Sequence, residues 1–167
     1  MQFLTEVCSW LEGTALATFI AGSWWAFPSI ESLHVVAITL VVGSIAVADL
    51  RLLGLAWKSR PVTDVLHDVL PMTWIAFAVA LACGSLLFIS QATKYIDNSA
   101  FQIKMLLMLL AGVNMLAFEL ITFRGVSSWD RDVPVPLTGQ LAGAVSLACW
   151  LGILVFGRQI GWTMYPE

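Results

Sequence analysis

Long apolar segments are the feature of this sequence that most constrains its fold. Four of them are long enough, at 1.5 Å per residue in a helix, to cross the roughly 30 Å hydrocarbon core of a bilayer. Such segments cross as helices, because every backbone amide inside a bilayer needs an internal hydrogen-bond partner. The sequence therefore predicts an all-α integral membrane four-helix bundle, a single transmembrane domain over residues 1–167. The predicted spans are about 30–57, 67–93, 100–123 and 134–157.

The composition supports this prediction and argues against other classes of protein. Hydrophobic residues make up 59% of the 167 residues and charged residues only 11%, whereas soluble domains carry about a quarter charged residues. The formal net charge of −3 and the lack of a basic cluster argue against nucleic acid as a partner. The lipid bilayer is the partner that such a surface requires.

Residues 3–25 are more polar than the four predicted spans. Glu6 and Glu12 interrupt this segment, and Trp24 and Trp25 stand at its end. Mixed polarity with terminal tryptophans is typical of the membrane interface. We expect an amphipathic N-terminal helix that lies in the interface or re-enters the membrane.

Basic residues predict an orientation for the bundle. We call the end at which the first span begins side A, and the opposite end side B. Side B carries more basic residues, so the positive-inside rule places it in the cytoplasm. We expect a bacterial inner-membrane protein whose C-terminus is non-cytoplasmic. Side B holds Arg51, Lys58, Arg60, Arg124 and Arg131, against Lys94, Lys104 and Arg158 on side A.

Two stripes of small residues recur at four-residue spacing within the spans. They are Ala76, Ala80 and Gly84 in the second span, and Gly139 and Gly143 in the fourth. Stripes of this kind let helices approach closely. We expect them to contact other helices of the chain, other membrane subunits or a second copy in a homo-oligomer.

Ionisable residues inside the predicted spans form two clusters, one at each end. A charge at the bilayer centre costs at least about 2.5–3.5 kcal/mol, so each such residue calls for a partner or a function. Near side B, we expect Asp49 to pair with Arg51 and Glu119 with Arg124, closing that end of the bundle.

The cluster near side A contains His34, with Glu31 one turn before it on the same face and Lys104 at a similar depth. His34 has two interpretations. It is either a hydrogen-bonded packing residue or an axial ligand of haem iron, because imidazole on a bundle helix is a common route to b-type haem. On the second interpretation, the candidate cofactor-binding residues are His34, Lys104 and Glu31.

A haem bound to His34 would have no second histidine ligand. The other histidine, His67, lies at the opposite end of the bundle. The iron would be five-coordinate or would take Lys104, Met105 or Met108 as its second ligand.

The sequence resembles an uncharacterised family of small bacterial four-helix integral membrane proteins. The resemblance covers nearly the whole chain and rests on Trp24-Trp25-Ala26-Phe27-Pro28, Glu31-Ser-Leu-His34, Gly43, Asp49-Leu-Arg51-Leu-Leu-Gly54, Phe101-Gln-Ile-Lys104 and Asn114. More distantly, it is similar to the membrane domain of copper-resistance D proteins and to the bacterial membrane protoporphyrinogen oxidase, a haem-containing four-helix protein. His34, Gly43 and Lys104 match their common skeleton. The distant resemblance implies haem or porphyrin chemistry.

These observations leave functions of different classes open. The first is a small membrane redox subunit that binds b-type haem or a quinone-like molecule at the His34/Lys104 end and transfers electrons. The alternative is a non-enzymatic structural or assembly subunit of a larger membrane complex, favoured by the small-residue stripes. A small transporter ranks last, because broken helices and a charged pair at the midplane are not evident. Whether the protein is an enzyme stays open.

Overall fold

The computed structural model describes residues 2–131 and 133–164, without the side chain of Gln2, and the regular structure in this part of the chain is helical throughout. Helix α6 continues as a π-helical segment, Phe118–Thr122, and then as a 3-10 segment, Phe123–Ser128. The α-helices are α1 (Gln2–Glu12), α2 (Ala15–Gly22), α3 (Ala26–Leu52), α4 (Val62–Ser90), α5 (Ala92–Asp97), α6 (Ser99–Ala117) and α7 (Leu137–Met164).

Four helices in the described part are long and apolar enough to cross a membrane. They are α3, α4, α6 with its continuation, and α7. This confirms the predicted all-α fold with four membrane-spanning helices and an additional helical segment at the N-terminus. Their bounds differ by one to seven residues from the predicted ones, and at the end of α3 and the start of α4 local capping explains the difference.

The end of α3 illustrates this effect. The apolar pattern extends to Trp57, but the helix ends at Leu52. Gly54 has a φ of +67°, a left-handed conformation that glycine adopts without strain. The amides of Gly54 and Leu55 donate to the carbonyls of Arg51 and Leu50, at 3.1 and 3.0 Å. This is a Schellman motif, and it satisfies carbonyls that would otherwise lack a partner at the helix end.

The long helices form the bundle through successive pairwise contacts. α4 packs against α3, α3 against α7, and α7 against α6, so α3 and α7 occupy the centre. At side A, Phe88 of α4 stacks on Phe101 of α6 with ring centroids 5.6 Å apart. At side B, Leu52, Leu66 and Trp129 belong to one buried apolar cluster. α6 is the least buried of the four, and most of its apolar side chains face outward.

Both stripes of small residues lie at contacts between helices of this chain. Ala76 and Ala80 are buried, and a Cβ at Gly84 would lie only 2.9 Å from Cε1 of His34. A Cβ at Gly143 would lie 3.1 Å from the backbone oxygen of Asp49. α3 therefore approaches α4 and α7 more closely at these two glycines than a larger residue would permit.

The N-terminal segment consists of two short helices where the sequence predicted one over 3–25. Thr14 separates them, and its hydroxyl accepts a hydrogen bond from the amide of Ala17 and so caps α2. At about 1.5 Å per residue, neither helix is long enough to cross roughly 30 Å of hydrocarbon. Oε1 of Glu12 accepts hydrogen bonds from the amide and the hydroxyl of Thr93, both at 2.8 Å. The pair therefore packs on side A, beside the end of α4.

A hydrogen-bond network centred on Arg51 and Asp130 closes side B. Arg51 is only 4% exposed, and its Nε donates to the carbonyl of Arg60 at 2.9 Å. The carboxyl group of Asp130 accepts from the amide and the hydroxyl of Thr63, both at 2.8 Å, and its carbonyl accepts from the amide of Val62. Asp130 thus caps the first turn of α4 from a distant part of the chain, and α4 begins at Val62, not at about residue 67.

The ion pairs predicted for side B are wrong. Arg51 turns to the carbonyls of Arg60 and Asp130 and forms no salt bridge with Asp49. Residues two apart on a helix face away from each other, which explains why Asp49 and Arg51 do not meet. Glu119 and Arg124 are both exposed and are not joined.

The surroundings of Asp130 make the stability of this end depend on pH. Desolvation acts to raise the pKa of the Asp130 carboxyl, but hydrogen bonds from Thr63 and Val62 and the charge of Arg51 bring it below its ordinary value. A carboxyl with a lowered pKa in the folded state stabilises the fold above the ordinary value, about 3.9. That contribution is lost as the pH falls through the lowered value.

We expect Asp130→Ala to reduce the free energy of unfolding by about 0.5–2 kcal/mol near neutral pH, the typical cost of losing a helix cap. The measurement is denaturant unfolding of the detergent-solubilised protein. The difference from the wild type should shrink as the pH falls below about 3.9.

The matched control is Asp68→Ala, which removes an exposed carboxylate from the 2.7 Å ion pair with Arg60. An exposed pair contributes about 0–1 kcal/mol, so this variant should lose less stability. Equal losses in the two variants would contradict a capping role for Asp130.

Candidate functional site

His34 lies on α3 at the contact with α4. Its Nδ1 is 2.8 Å from the carbonyl oxygen of Ala80. A carbonyl only accepts hydrogen bonds, so Nδ1 carries the proton and donates it, and Nε2 is left with a free lone pair. Nε2 has no hydrogen-bond partner within residues 2–131 and 133–164. One interaction therefore determines the tautomer of this imidazole.

The ring of His34 occupies the space that the missing side chain of Gly84 leaves. A Cβ at position 84 would lie 2.9 Å from Cε1 and 3.5 Å from Nδ1. Gly84 therefore serves as the platform on which the imidazole packs. The imidazole of His34 is thus hydrogen-bonded and packed between the helices, and its Nε2 remains available for a second role.

Lys104 reaches the same end of the bundle from α6. Its side chain runs along Gly157 of α7, where a Cβ would lie 3.7 Å from Nζ. Its charge is close enough to act on the imidazole of His34. No carboxylate in the described part of the chain lies within ion-pairing distance of Lys104. His34 and Lys104 thus lie at the same end of the bundle, and their joint part in a binding site stays a prediction.

The other residues predicted for this site are less closely associated with it. Glu31 is exposed, and no hydrogen bond joins it to His34 or Lys104. Of the methionines considered as second ligands, Met105 is 46% exposed and Met108 is partly buried. The described residues contain no group of three or more His, Cys, Asp or Glu that could hold a metal ion.

A second polar site, which the sequence did not predict, lies between α3 and α7 near side B. Asp49 is 4% exposed, and the hydroxyl of Ser146 on α7 is its polar neighbour. Its Oδ2 is buried and has no hydrogen-bond partner among the described residues. Nearby, Nδ2 of Asn114 on α6 donates to the carbonyl of Ala142 on α7 at 2.9 Å. The sequence signal that could have indicated this site is Ser146. It stands three residues after Gly143 and so lies on the same face of α7.

One family model matches most of this chain. The model of the family of unknown function DUF6644 matches residues 9–163. The chain belongs to this family. The match covers nearly all of the sequence, including the four spans, His34 and Lys104, and it confirms the predicted membership of an uncharacterised family.

The other comparisons return nothing. No curated protein and no solved structure matches this DUF6644 chain. The more distant resemblance to copper-resistance D proteins and protoporphyrinogen oxidase therefore finds no support.

We expect Gly84→Leu to destabilise this DUF6644 protein by about 1–3 kcal/mol, the usual cost of an overpacked contact, because the new side chain would overlap the His34 ring. Combining it with His34→Ala should recover part of the loss, since contacting residues couple energetically. Unfolding in detergent would measure both effects.

Gly43→Leu is the matched control, because Gly43 lies on the same helix as His34 with nothing within 4 Å of its Cβ position. It should be neutral, or stabilising by up to about 1 kcal/mol from the better helix propensity. Destabilisation of similar size in both variants would contradict a specific contact between Gly84 and His34.

Proposed function

We propose that this protein is a small membrane redox subunit that binds b-type haem, or a quinone-like molecule, beside His34 and Lys104. The observation that carries the proposal is the hydrogen bond from Nδ1 of His34 to the carbonyl of Ala80. A metal-ligating histidine almost always donates its other ring N–H to a carbonyl or a carboxylate. His34 has this anchoring, and Nε2 is the nitrogen that remains to bind.

The residues present fit a haem in their donor chemistry. Nε2 of His34 would hold the iron, and the ammonium group of Lys104 would pair with a propionate carboxylate or serve as the second ligand. When bound, the haem would supply one-electron transfer. The protein's part is to hold the imidazole in one tautomer and to provide a positive charge beside it.

A quinone-like molecule would use the same two groups differently. Its carbonyl oxygens accept hydrogen bonds, which Lys104 donates. Its reduced form also carries hydroxyl groups, and Nε2 of His34 can accept a hydrogen bond from one of these. Both ligands therefore require His34 and Lys104, and their optical spectra distinguish them.

The alternative function is that of a non-enzymatic structural or assembly subunit in a larger membrane complex. The specific observation that favours it is the exposure of α6, whose apolar side chains face outward along most of its length. Gly43 on α3 also lies open on the outer surface, where a helix of another subunit or of a second copy could approach closely.

We also propose that side A faces away from the cytoplasm of a bacterial inner membrane. The larger number of basic residues on side B supports this orientation. The C-terminal end of α7 lies on side A, where Nδ2 of Asn98 donates to the hydroxyl of Thr163 at 2.7 Å.

We expect a C-terminal fusion to alkaline phosphatase to be enzymatically active and a C-terminal fusion to green fluorescent protein to be non-fluorescent. The reason is that only the phosphatase matures outside the cytoplasm. The reverse pattern would reverse the orientation and leave the helix assignments intact.

We expect the protein purified from haem-replete cells to show a Soret band that His34→Ala removes, because the variant has no iron ligand. His67→Ala is the matched control, since His67 is exposed at the opposite end, and it should keep the band. For the quinone version, solvent extraction should release a quinone from the wild type and from His67→Ala, but not from His34→Ala.

A preparation that contains neither haem nor quinone would overturn the redox proposal. The same preparation tests the alternative by light scattering in detergent. A defined assembly larger than one chain would support a structural subunit, and a monomer with no associated protein would count against it.

A further inference from the structure

Asp49 is sealed inside the protein close to the end of α3. Its side chain is buried, and the backbone of α7 covers it at Gly143, where a Cβ would lie 3.1 Å from the Asp49 carbonyl oxygen and 3.6 Å from its Cα. An ionisable residue buried in a membrane-spanning helix is costly and commonly marks a functional position. The close approach of α7 packs this helix against the backbone of Asp49.

Among the described residues, no basic side chain forms an ion pair with this carboxyl group. Arg51, the nearest basic residue in sequence, donates to the carbonyls of Arg60 and Asp130 instead. Ser146 is the polar neighbour, yet Oδ2 has no hydrogen-bond partner in the part of the chain that the structure describes. A buried carboxylate with an unsatisfied oxygen is unfavourable, since burial removes the water that would otherwise solvate it.

The other ionisable groups at this end do not neutralise Asp49 either. Asp130, in the loop before α7, is bound to Thr63. On α7 itself, the nearest ionisable residue in sequence is Cys149, a buried free thiol. The ionisable side chains on the neighbouring parts of α4 and of the α6 continuation are exposed: Asp64, His67, Asp68, Glu119 and Arg124.

The cation that fits the carboxyl group of Asp49 is a proton. A metal ion needs several oxygen ligands around it, and the described residues contain no group of three or more His, Cys, Asp or Glu that could supply them. A proton needs none. It binds directly to Oδ2, removes the charge and turns the unsatisfied acceptor into a hydroxyl group that can donate a hydrogen bond.

We propose that Asp49 is a proton-binding site of the bundle, at which a carboxylate and a proton from side B combine reversibly to form a carboxylic acid. The site lies near the opposite end from His34 and does not require a redox ligand. The adjacent polar groups, Ser146 and the Asn114–Ala142 hydrogen bond, continue from it towards α6.

The test is labelling with dicyclohexylcarbodiimide, an apolar reagent that adds to protonated carboxyl groups and leaves a stable N-acylurea. The full-length protein, in detergent and in vesicles, is treated from mildly acidic to mildly alkaline pH and mapped by peptide mass spectrometry. We expect the adduct on Asp49 to form readily at acidic pH and to decline as the pH rises, because the carboxylate does not react.

Asp49→Asn should lose this adduct and keep its helical circular dichroism. Glu119→Gln is the matched control, since Glu119 is an exposed carboxyl in the third span, and it should leave the Asp49 adduct unchanged. If Asp49→Asn does not fold, Ser146→Ala replaces it and should shift the pH of half-maximal labelling on Asp49. An unshifted profile in folded Ser146→Ala would overturn the part assigned to Ser146.

Two further outcomes would overturn the proposal. Absence of an adduct on Asp49 at every pH, or a yield that does not change with pH, would show that the carboxyl does not exchange a proton. Protection by sodium chloride, but not by choline chloride at the same ionic strength, would show that the site binds a metal cation instead. Neither outcome bears on the Soret band, so this proposal and the redox function fail independently.

Discussion

The rest of the structure depends on the close packing of α3 against its two neighbours. The two contacts lie at Gly84 of α4 and Gly143 of α7. Inside a bilayer, helices gain little from hydrophobic burial against one another, so close van der Waals contact at small residues holds them together. The same contacts position the two polar side chains of interest. His34 packs on Gly84, and Asp49 lies under the backbone of Gly143.

The ionisable residues at the two ends of α3 therefore differ in their hydrogen bonding. At side A, the imidazole of His34 is anchored by a carbonyl on one nitrogen and free on the other, with the charge of Lys104 nearby. At side B, Arg51 donates hydrogen bonds to the carbonyls of Arg60 and Asp130, and the carboxyl group of Asp130 accepts from Thr63. Asp49 takes no part in this network. Only groups left outside such networks are available to bind a ligand, which is why His34 and Asp49 carry the two proposals.

Much of the fold follows from the sequence, because the bilayer imposes a minimum length on each apolar helix. The helical class, the presence of four helices long and apolar enough to cross a membrane, and membership of an uncharacterised family were predicted correctly. Helix ends were predicted less well, since α3 stops where Gly54 forms a Schellman motif and α4 starts where Asp130 caps it. A cap supplied by a residue so distant in sequence leaves no local signal. The break at Thr14 was also missed, although a threonine followed by a short apolar run is a recognisable cap.

At the candidate sites, the sequence by itself determined which ionisable residues lie in the long apolar segments, and it predicted that His34 and Lys104 lie at a similar depth. Depth follows from helical rise, which is the same for every residue. Only the tertiary structure decided which groups meet. Whether Asp49 meets Ser146, or His34 meets Ala80, depends on the rotation of each helix about its axis, and packing against neighbouring helices sets that rotation.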